Sequence, residues 1–200
     1  MTRIKLCGLT RPEDIEAANA LMPEYTGFVF AKKSRRYVDP DRAAALRARL
    51  APGIRAVGVF VREAPEEVAE LLDRGIIDVA QLHGGEDDGD IARLRALTDR
   101  PIIHAFRIDG PADVARALSS PADAILLDSG AGGTGTAFDW SLLREIRRPW
   151  FLAGGLGPEN VRSAVARLGP WAVDVSSGIE TDGAKDPAKM AAFVRRVRGG

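Results

Sequence analysis

The chain has 200 residues, 46% of them hydrophobic, which is enough for one domain with a sizeable buried core. Its 28 basic and 28 acidic residues cancel, so no net field draws it to nucleic acid or to an anionic membrane. No apolar run approaches the roughly 20 residues of a membrane span or the shorter core of a signal peptide, and the single cysteine forms no internal disulfide; together these predict a cytoplasmic protein.

The first apolar run, residues 4–9, carries Cys7 and Gly8. Thr10 and Glu13 then have capping-box spacing ahead of Ile15, Ala18 and Met22. The second run, 25–30, leads to the basic stretch Lys32, Lys33, Arg35 and Arg36. After it, Asp39-Pro40 places an N-cap before a proline at the first helical position. Run 56–61 precedes a helix with Val68, Leu71 and Leu72 on one face. Run 79–82 continues into His83-Gly84. Run 102–106 contains His104, and Arg107 and a short helix over 112–118 follow. Run 124–127 ends in Asp128, followed by Ser129, the glycine-rich stretch Gly132-Gly133-Thr134-Gly135, and a helix expected to begin near Phe138-Asp139. Run 150–152 opens onto Gly154-Gly155 and a helix with Val161, Val165 and Leu168 on one face. Run 172–175 leads to Ser176-Ser177-Gly178, and Asp186-Pro187 starts a last helix carrying Met190, Val194 and Val197.

Several runs are continuously apolar, the pattern of strands buried on both faces, as in parallel sheets. Eight strands alternating with about eight helices predict a closed (β/α)8 barrel, a TIM barrel in one compact domain over residues 1–200, with short loops. An open doubly wound sheet is the other arrangement this alternation permits.

In a barrel the chemistry lies where strands end. Gly154, Gly155, Ser176, Ser177 and Gly178 follow the last two strands, where loops often bind phosphate through backbone N–H groups. Cys7 ends the first strand at the presumed mouth. A buried cysteine is more often an inert apolar group, and action as a base needs a helper that the sequence does not name. Asp128 has no evident capping duty, and a carboxyl near apolar walls is poised as a general acid. An arginine of the second loop suits a bidentate grip on a carboxylate. His83 is balanced between structure and site, whereas His104 reads as core or as turned to the barrel interior. Two histidines without spaced partners predict no metal site, and no cofactor motif is present.

Several segments together resemble the phosphoribosylanthranilate isomerase family. They are Ile4-Lys5-Leu6-Cys7-Gly8-Leu9-Thr10, Ser34-Arg35-Arg36-Tyr37-Val38 and Gln81-Leu82-His83-Gly84, then Leu127-Asp128-Ser129 with Gly132 to Gly135 and Phe138-Asp139-Trp140. Leu152-Ala153-Gly154-Gly155-Leu156 and Asp174-Val175-Ser176-Ser177-Gly178-Ile179-Glu180 complete the set. Arg35 stands where proline is common and Gly85 where a more polar residue is usual, departures expected to affect loop shape rather than reacting groups. The resemblance implies a cofactor-free barrel that performs an Amadori rearrangement of a phosphosugar in tryptophan biosynthesis. By resemblance Asp128 is the general acid, Cys7 the base and Arg36 the clamp on the substrate carboxylate. The partner is then a small-molecule phosphosugar, and the enzyme a monomer or homodimer. Three other readings stand beside it. One is the histidine-pathway aminoaldose–ketose isomerase, which resembles a barrel with two catalytic aspartates. The second is a lyase of the tryptophan synthase alpha type, which needs an early carboxylate base. The third is a non-catalytic phosphosugar-binding barrel, which needs neither Cys7 nor Asp128.

Overall fold

The computed structural model describes residues 1–128, 143 and 146–199. Eight parallel strands close into a barrel in chain order. They are β1 (Arg3–Cys7), β2 (Tyr25–Val29), β3 (Arg55–Phe60), β4 (Val79–Leu82), β5 (Ile102–Arg107), β6 (Ala124–Asp128), β7 (Trp150–Ala153) and β8 (Ala172–Val175). The ring closes between β1 and β8, with Lys5 opposite Asp174 and Leu6 opposite Val175. The closed order excludes the open doubly wound sheet.

The apolar runs are continuous because each strand buries both faces. Ile4 and Leu6 pack outward against the helices, in a core shared with Phe28, Ile125, Val173 and Phe193. A second cluster fills the barrel itself, from Tyr25, Val57, Val79, Ile103, Leu126, Phe151 and Ala172. At the N-terminal end of the barrel Tyr25, Phe151 and Trp171 meet edge to face or tilted, with centroids 5.3–6.1 Å apart. The Arg3 guanidinium lies 4.2 Å over Trp171 and that of Arg55 4.4 Å over Tyr25.

The described helices are α1 (Pro12–Leu21), α2 (Pro40–Arg47), α3 (Pro65–Asp73), α4 (Asp88–Arg95), α5 (Pro111–Ser119), α6 (Val161–Leu168) and α7 (Pro187–Arg198). The expected apolar faces of α3 and α7 are buried, with Val68, Leu71, Leu72, Met190, Val194 and Val197 all in the core. On α1 Ile15 and Ala18 are buried, but Met22 is exposed because the helix ends at Leu21 and Met22 is its left-handed C-cap. Asp39 and Asp186 cap α2 and α7 as expected, accepting from Arg42 N at 2.8 Å and from Ala188 N at 2.8 Å. The cap of α1 is shifted. Pro12 fixes the first helical position, so Arg11 becomes the N-cap. The closing carboxylate is then Asp14, not Glu13, and it accepts from Thr10 N and Arg11 N at 2.9 and 3.0 Å. The eighth helix expected near Phe138-Asp139, with Ser129, Gly132 to Gly135 and Trp140, lies outside the described residues. Among the described residues no helix is long and apolar enough to cross a membrane.

After β8 a 3-10 turn (Ser177–Ile179) leads into a small hairpin, β9 (Glu180–Thr181) with β10 (Ala184–Lys185). This hairpin lies between the last barrel strand and α7, and it supplies two charged groups to the site.

Candidate active site

Strand parity decides which side chains reach the barrel mouth. In a parallel pair, residues in register face the same way. Lys5 is in register with Tyr25, and Cys7 with Gly27, so both enter the barrel. A cavity of about 430 Å³ opens at the C-terminal end of the strands. Cys7, Arg36 and Ser176 line one side of it, Gln81, His83 and Asp128 the other, and Gly154 and Gly155 the rim.

Cys7 is buried against β2. A Cβ on Gly27 would lie 2.7 Å from its Sγ, so that strand can carry no side chain there. Burial pushes the Cys7 thiol up, and Lys5 and Lys185 pull it the other way without overcoming it. Gly8, at φ +78°, turns the chain away and leaves room for Arg36. A Cβ there would meet Arg36 Cδ at 2.4 Å.

Arg36 does not stand alone. Its Nε lies 2.6 Å from Glu180 Oε1 and its Nη2 2.9 Å from Glu180 Oε2, a bidentate pair. Lys185 Nζ reaches the same carboxylate at 2.7 Å and also donates to the Ser176 carbonyl at 2.8 Å. Arg35 bonds Glu180 as well. That overturns the expectation that Arg35 affects only loop shape, because a proline there would remove one of three cations from this carboxylate. Burial disfavours the Glu180 anion, but Arg36 and Lys185 outweigh it and hold its pKa at about 2. Burial wins at Lys185, whose pKa is lowered despite the same carboxylate, whereas the contact raises that of Arg36.

Asp128 ends β6, with His83 Nε2 3.7 Å from its Oδ2. The Gln81 amide donates to His83 Nδ1 at 3.0 Å, which leaves the ring proton on the nitrogen facing Asp128. The structure thus puts His83 in the site. Gln81 Oε1 is buried and has no hydrogen-bond partner among the described residues. His104 is in the core but not in the barrel interior. Ile103 and Ala105 take the inward positions, and His104 points outward to Ser120 Oγ at 2.9 Å and the Glu86 carbonyl at 3.0 Å. Burial lowers its pKa. Arg107 is exposed and pairs with Asp109 at 3.3 Å, away from this cavity.

The two glycine-bearing loops form one unit. Gly154 and Gly155 have φ of +93° and +60°, conformations that favour glycine. Gly178 is pressed against the other loop, where a Cβ would lie 1.9 Å from the Leu156 carbonyl oxygen. Ser176 Oγ donates to the Cys7 carbonyl at 3.1 Å and so ties this unit to the end of β1.

Residues 4–196 match the family model described as N-(5'-phosphoribosyl)anthranilate isomerase. The chain belongs to the phosphoribosylanthranilate isomerase family. Curated isomerases of this name are similar along the whole length. That of Endomicrobium trichonymphae is 42% identical over 202 residues, covering 99% of each chain. The crystal structure of phosphoribosyl anthranilate isomerase from Thermotoga maritima has TM-score 0.90 at 38% identity, with both chains fully covered. A structure of the isomerase in complex with reduced 1-(o-carboxyphenylamino)-1-deoxyribulose 5-phosphate has TM-score 0.89 at 37% identity, again over both whole chains. The protein is thus an isomerase of tryptophan biosynthesis built on a TIM barrel. The cavity of this isomerase brings together every site residue read from the sequence except Gly178, which packs behind the loop after β7 against Leu156. The sequence reading gives no role to Lys5, Asp174, Glu180 or Lys185. The available signal was a lone charge at an inward position of an apolar strand, for Lys5 and Asp174.

Proposed function

We propose that Cys7 and Asp128 are the base and acid of an Amadori rearrangement that converts N-(5-phosphoribosyl)anthranilate to 1-(2-carboxyphenylamino)-1-deoxyribulose 5-phosphate. The observation that carries this reading is a single cavity lined by a thiol, a carboxyl, an arginine and two glycine-rich loops. The ligand named for the solved relative has matching ends, a phosphate and an aromatic carboxylate.

Asp128 gives its proton to the furanose ring oxygen. The C1–O bond breaks as the anilino nitrogen forms a protonated Schiff base at C1. The Cys7 thiolate then takes the proton from C2, and the C–H electrons form the C1=C2 bond and neutralise the iminium. Protonation at C1 and loss of the O2 proton yield the ketone. His83, held by Gln81, orients Asp128. The loops bearing Gly154, Gly155, Ser176, Ser177 and Gly178 take the phosphate, and Arg36 takes the carboxylate with the donors that Glu180 leaves. Anchoring both ends fixes the sugar between acid and base, where orientation contributes many-fold to rate. The thiol is raised by burial, so the step needs nearby positive charge. The protonated Schiff base supplies one such charge at the moment of proton transfer.

The test is the decay of anthranilate-type fluorescence with substrate generated in situ, on wild type, Cys7→Ala and Asp128→Asn. Wild type turns over, and both variants lose at least about a hundredfold in kcat while still binding a product analogue. Near-normal kcat in either variant removes that residue from the mechanism.

A further inference from the structure

Below the reactive end of β1 lies a charge pair that takes no part in the proton transfers. Lys5 precedes Cys7 by two residues, so its side chain enters the barrel directly under the thiol. The Lys5 ammonium is completely buried and lies 3.0 Å from Asp174 Oδ1, across the β1–β8 closure. Among the described residues it donates its hydrogen bond to Asp174, and its positive charge opposes the effect of burial on the Cys7 thiol. A buried ion pair is weak evidence for stability, because desolvating both charges offsets their attraction. Its location under the sulfur gives it another use. We propose that Lys5 is a positioning residue whose buried charge, set under the sulfur by strand parity, holds the Cys7 thiolate, and that Asp174 fixes the ammonium and limits how much of its field the sulfur feels. The inference rests on Cys7 being the base.

Each element packed around the sulfur brings its own groups to it. β2 presents Gly27, which carries no charge. β8 presents Asp174, and beyond it the Ser176 hydroxyl, which is engaged by the Cys7 carbonyl. The β9–β10 hairpin contributes Lys185, paired to Glu180, and the loop after β2 contributes Arg36, paired to the same carboxylate. His83 and Asp128 lie across the cavity. Lys5 opposes the effect of burial on the thiol more strongly than any other group, and Asp174 acts against it. The ammonium itself stays charged: burial works against it, but Asp174 and the thiolate raise its pKa on balance. No proton needs to leave Lys5 during turnover.

Cys7 is the only cysteine in the chain, so its titration can be read without reference to turnover. The probes are the ultraviolet absorbance of the thiolate and the pH dependence of iodoacetamide alkylation. Lys5→Met should move the midpoint up by at least about one unit, leaving about tenfold less thiolate at neutral pH. Asp174→Asn should move it down. The opposite signs separate this role from a structural one, which would damage both variants alike and leave the midpoint in place. If a single variant fails to fold because it leaves one charge buried and unpaired, the neutral double variant Lys5→Met/Asp174→Asn serves. Its midpoint should still lie above that of wild type, because Lys5 exerts the larger effect. A midpoint that stays put in the double variant, or shifts of one sign in both single variants, overturns the inference and leaves Cys7 as base intact. A midpoint that moves while the kcat/KM profile stays fixed sinks the assignment of Cys7 as base instead.

Discussion

Glu180→Gln is the perturbation for which the structure supplies a magnitude. The side chain is buried, and of the three cations that touch it Arg36 and Lys185, both within 2.9 Å, hold its pKa at about 2 against an ordinary 4.5. By linkage that displacement corresponds to about 3 kcal/mol of folding stability. A depressed carboxyl pKa contributes fully above the unfolded value and is lost as pH falls through the folded value. The contribution should therefore be complete at pH 7, begin to fall below about pH 4.5, and be about 1.4 kcal/mol at pH 3. Glutamine imitates the protonated acid. Urea unfolding of Glu180→Gln at neutral pH should show a deficit of about 3 kcal/mol that shrinks by more than half when both proteins are unfolded at pH 3. The variant should also raise KM more than it lowers kcat, because Arg36 loses the group that holds it in the cavity. A deficit of the same size at both pH values, or one below about 1 kcal/mol at neutral pH, would show that the carboxylate is not held by these cations.

Two further substitutions test the ends of the substrate. Gly178→Ala forces a methyl group into the Leu156 carbonyl, 1.9 Å from the ideal position, so the loops after β7 and β8 must part. Affinity for inorganic phosphate, read by protection against thermal unfolding, should fall about tenfold or more, whereas Gly110→Ala, in extended backbone with nothing within 4 Å, should change nothing. Unaltered protection in Gly178→Ala would remove these loops from phosphate binding. Arg36→Met should raise KM by about tenfold to a hundredfold, the worth of a charge-assisted hydrogen bond to a carboxylate. It should also cost stability, since Glu180 loses its bidentate partner. A KM within about twofold of wild type would take the carboxylate clamp away from this residue.

The sequence discloses what is local and periodic. Eight apolar runs are visible because parallel strands bury both faces, and Cys7, Asp128 and the glycine loops stand out because they interrupt those runs at their ends. The α1 cap is misjudged by one residue because Pro12 overrides the Thr10–Glu13 spacing. The direction of His104 depends on parity across β5, which a run that is apolar on both sides of it does not display. The Glu180 network is invisible for another reason. Its partners Arg35 and Arg36 come from the opposite end of the chain, and only closure of β8 onto β1 brings them together. For that reason Arg35 reads from the sequence as a loop departure, yet it is a third cation on one carboxylate.

The barrel interior changes character along its axis, and the change links stability to chemistry. At the N-terminal end Tyr25, Phe151 and Trp171 pack with Arg3 and Arg55 stacked on their rings. Above them lies the Lys5–Asp174 pair, and above that Cys7 at the cavity wall. Cys7 and Asp174 both line the cavity, whereas the Lys5 ammonium is completely buried beneath them. The aromatic layer closes the barrel on the other side of the ammonium. Screening between Lys5 and Cys7 is therefore weak, and a single buried ammonium acts on the sulfur with a strength that an exposed lysine at the mouth would not have. The same burial that raises the thiol pKa thus makes the opposing charge effective. Opening the aromatic layer, as in Trp171→Ala, should move the Cys7 midpoint even though Trp171 touches no reacting group. A midpoint that stays in place in that variant, with the barrel still folded, would mean that the lower layer shapes stability alone.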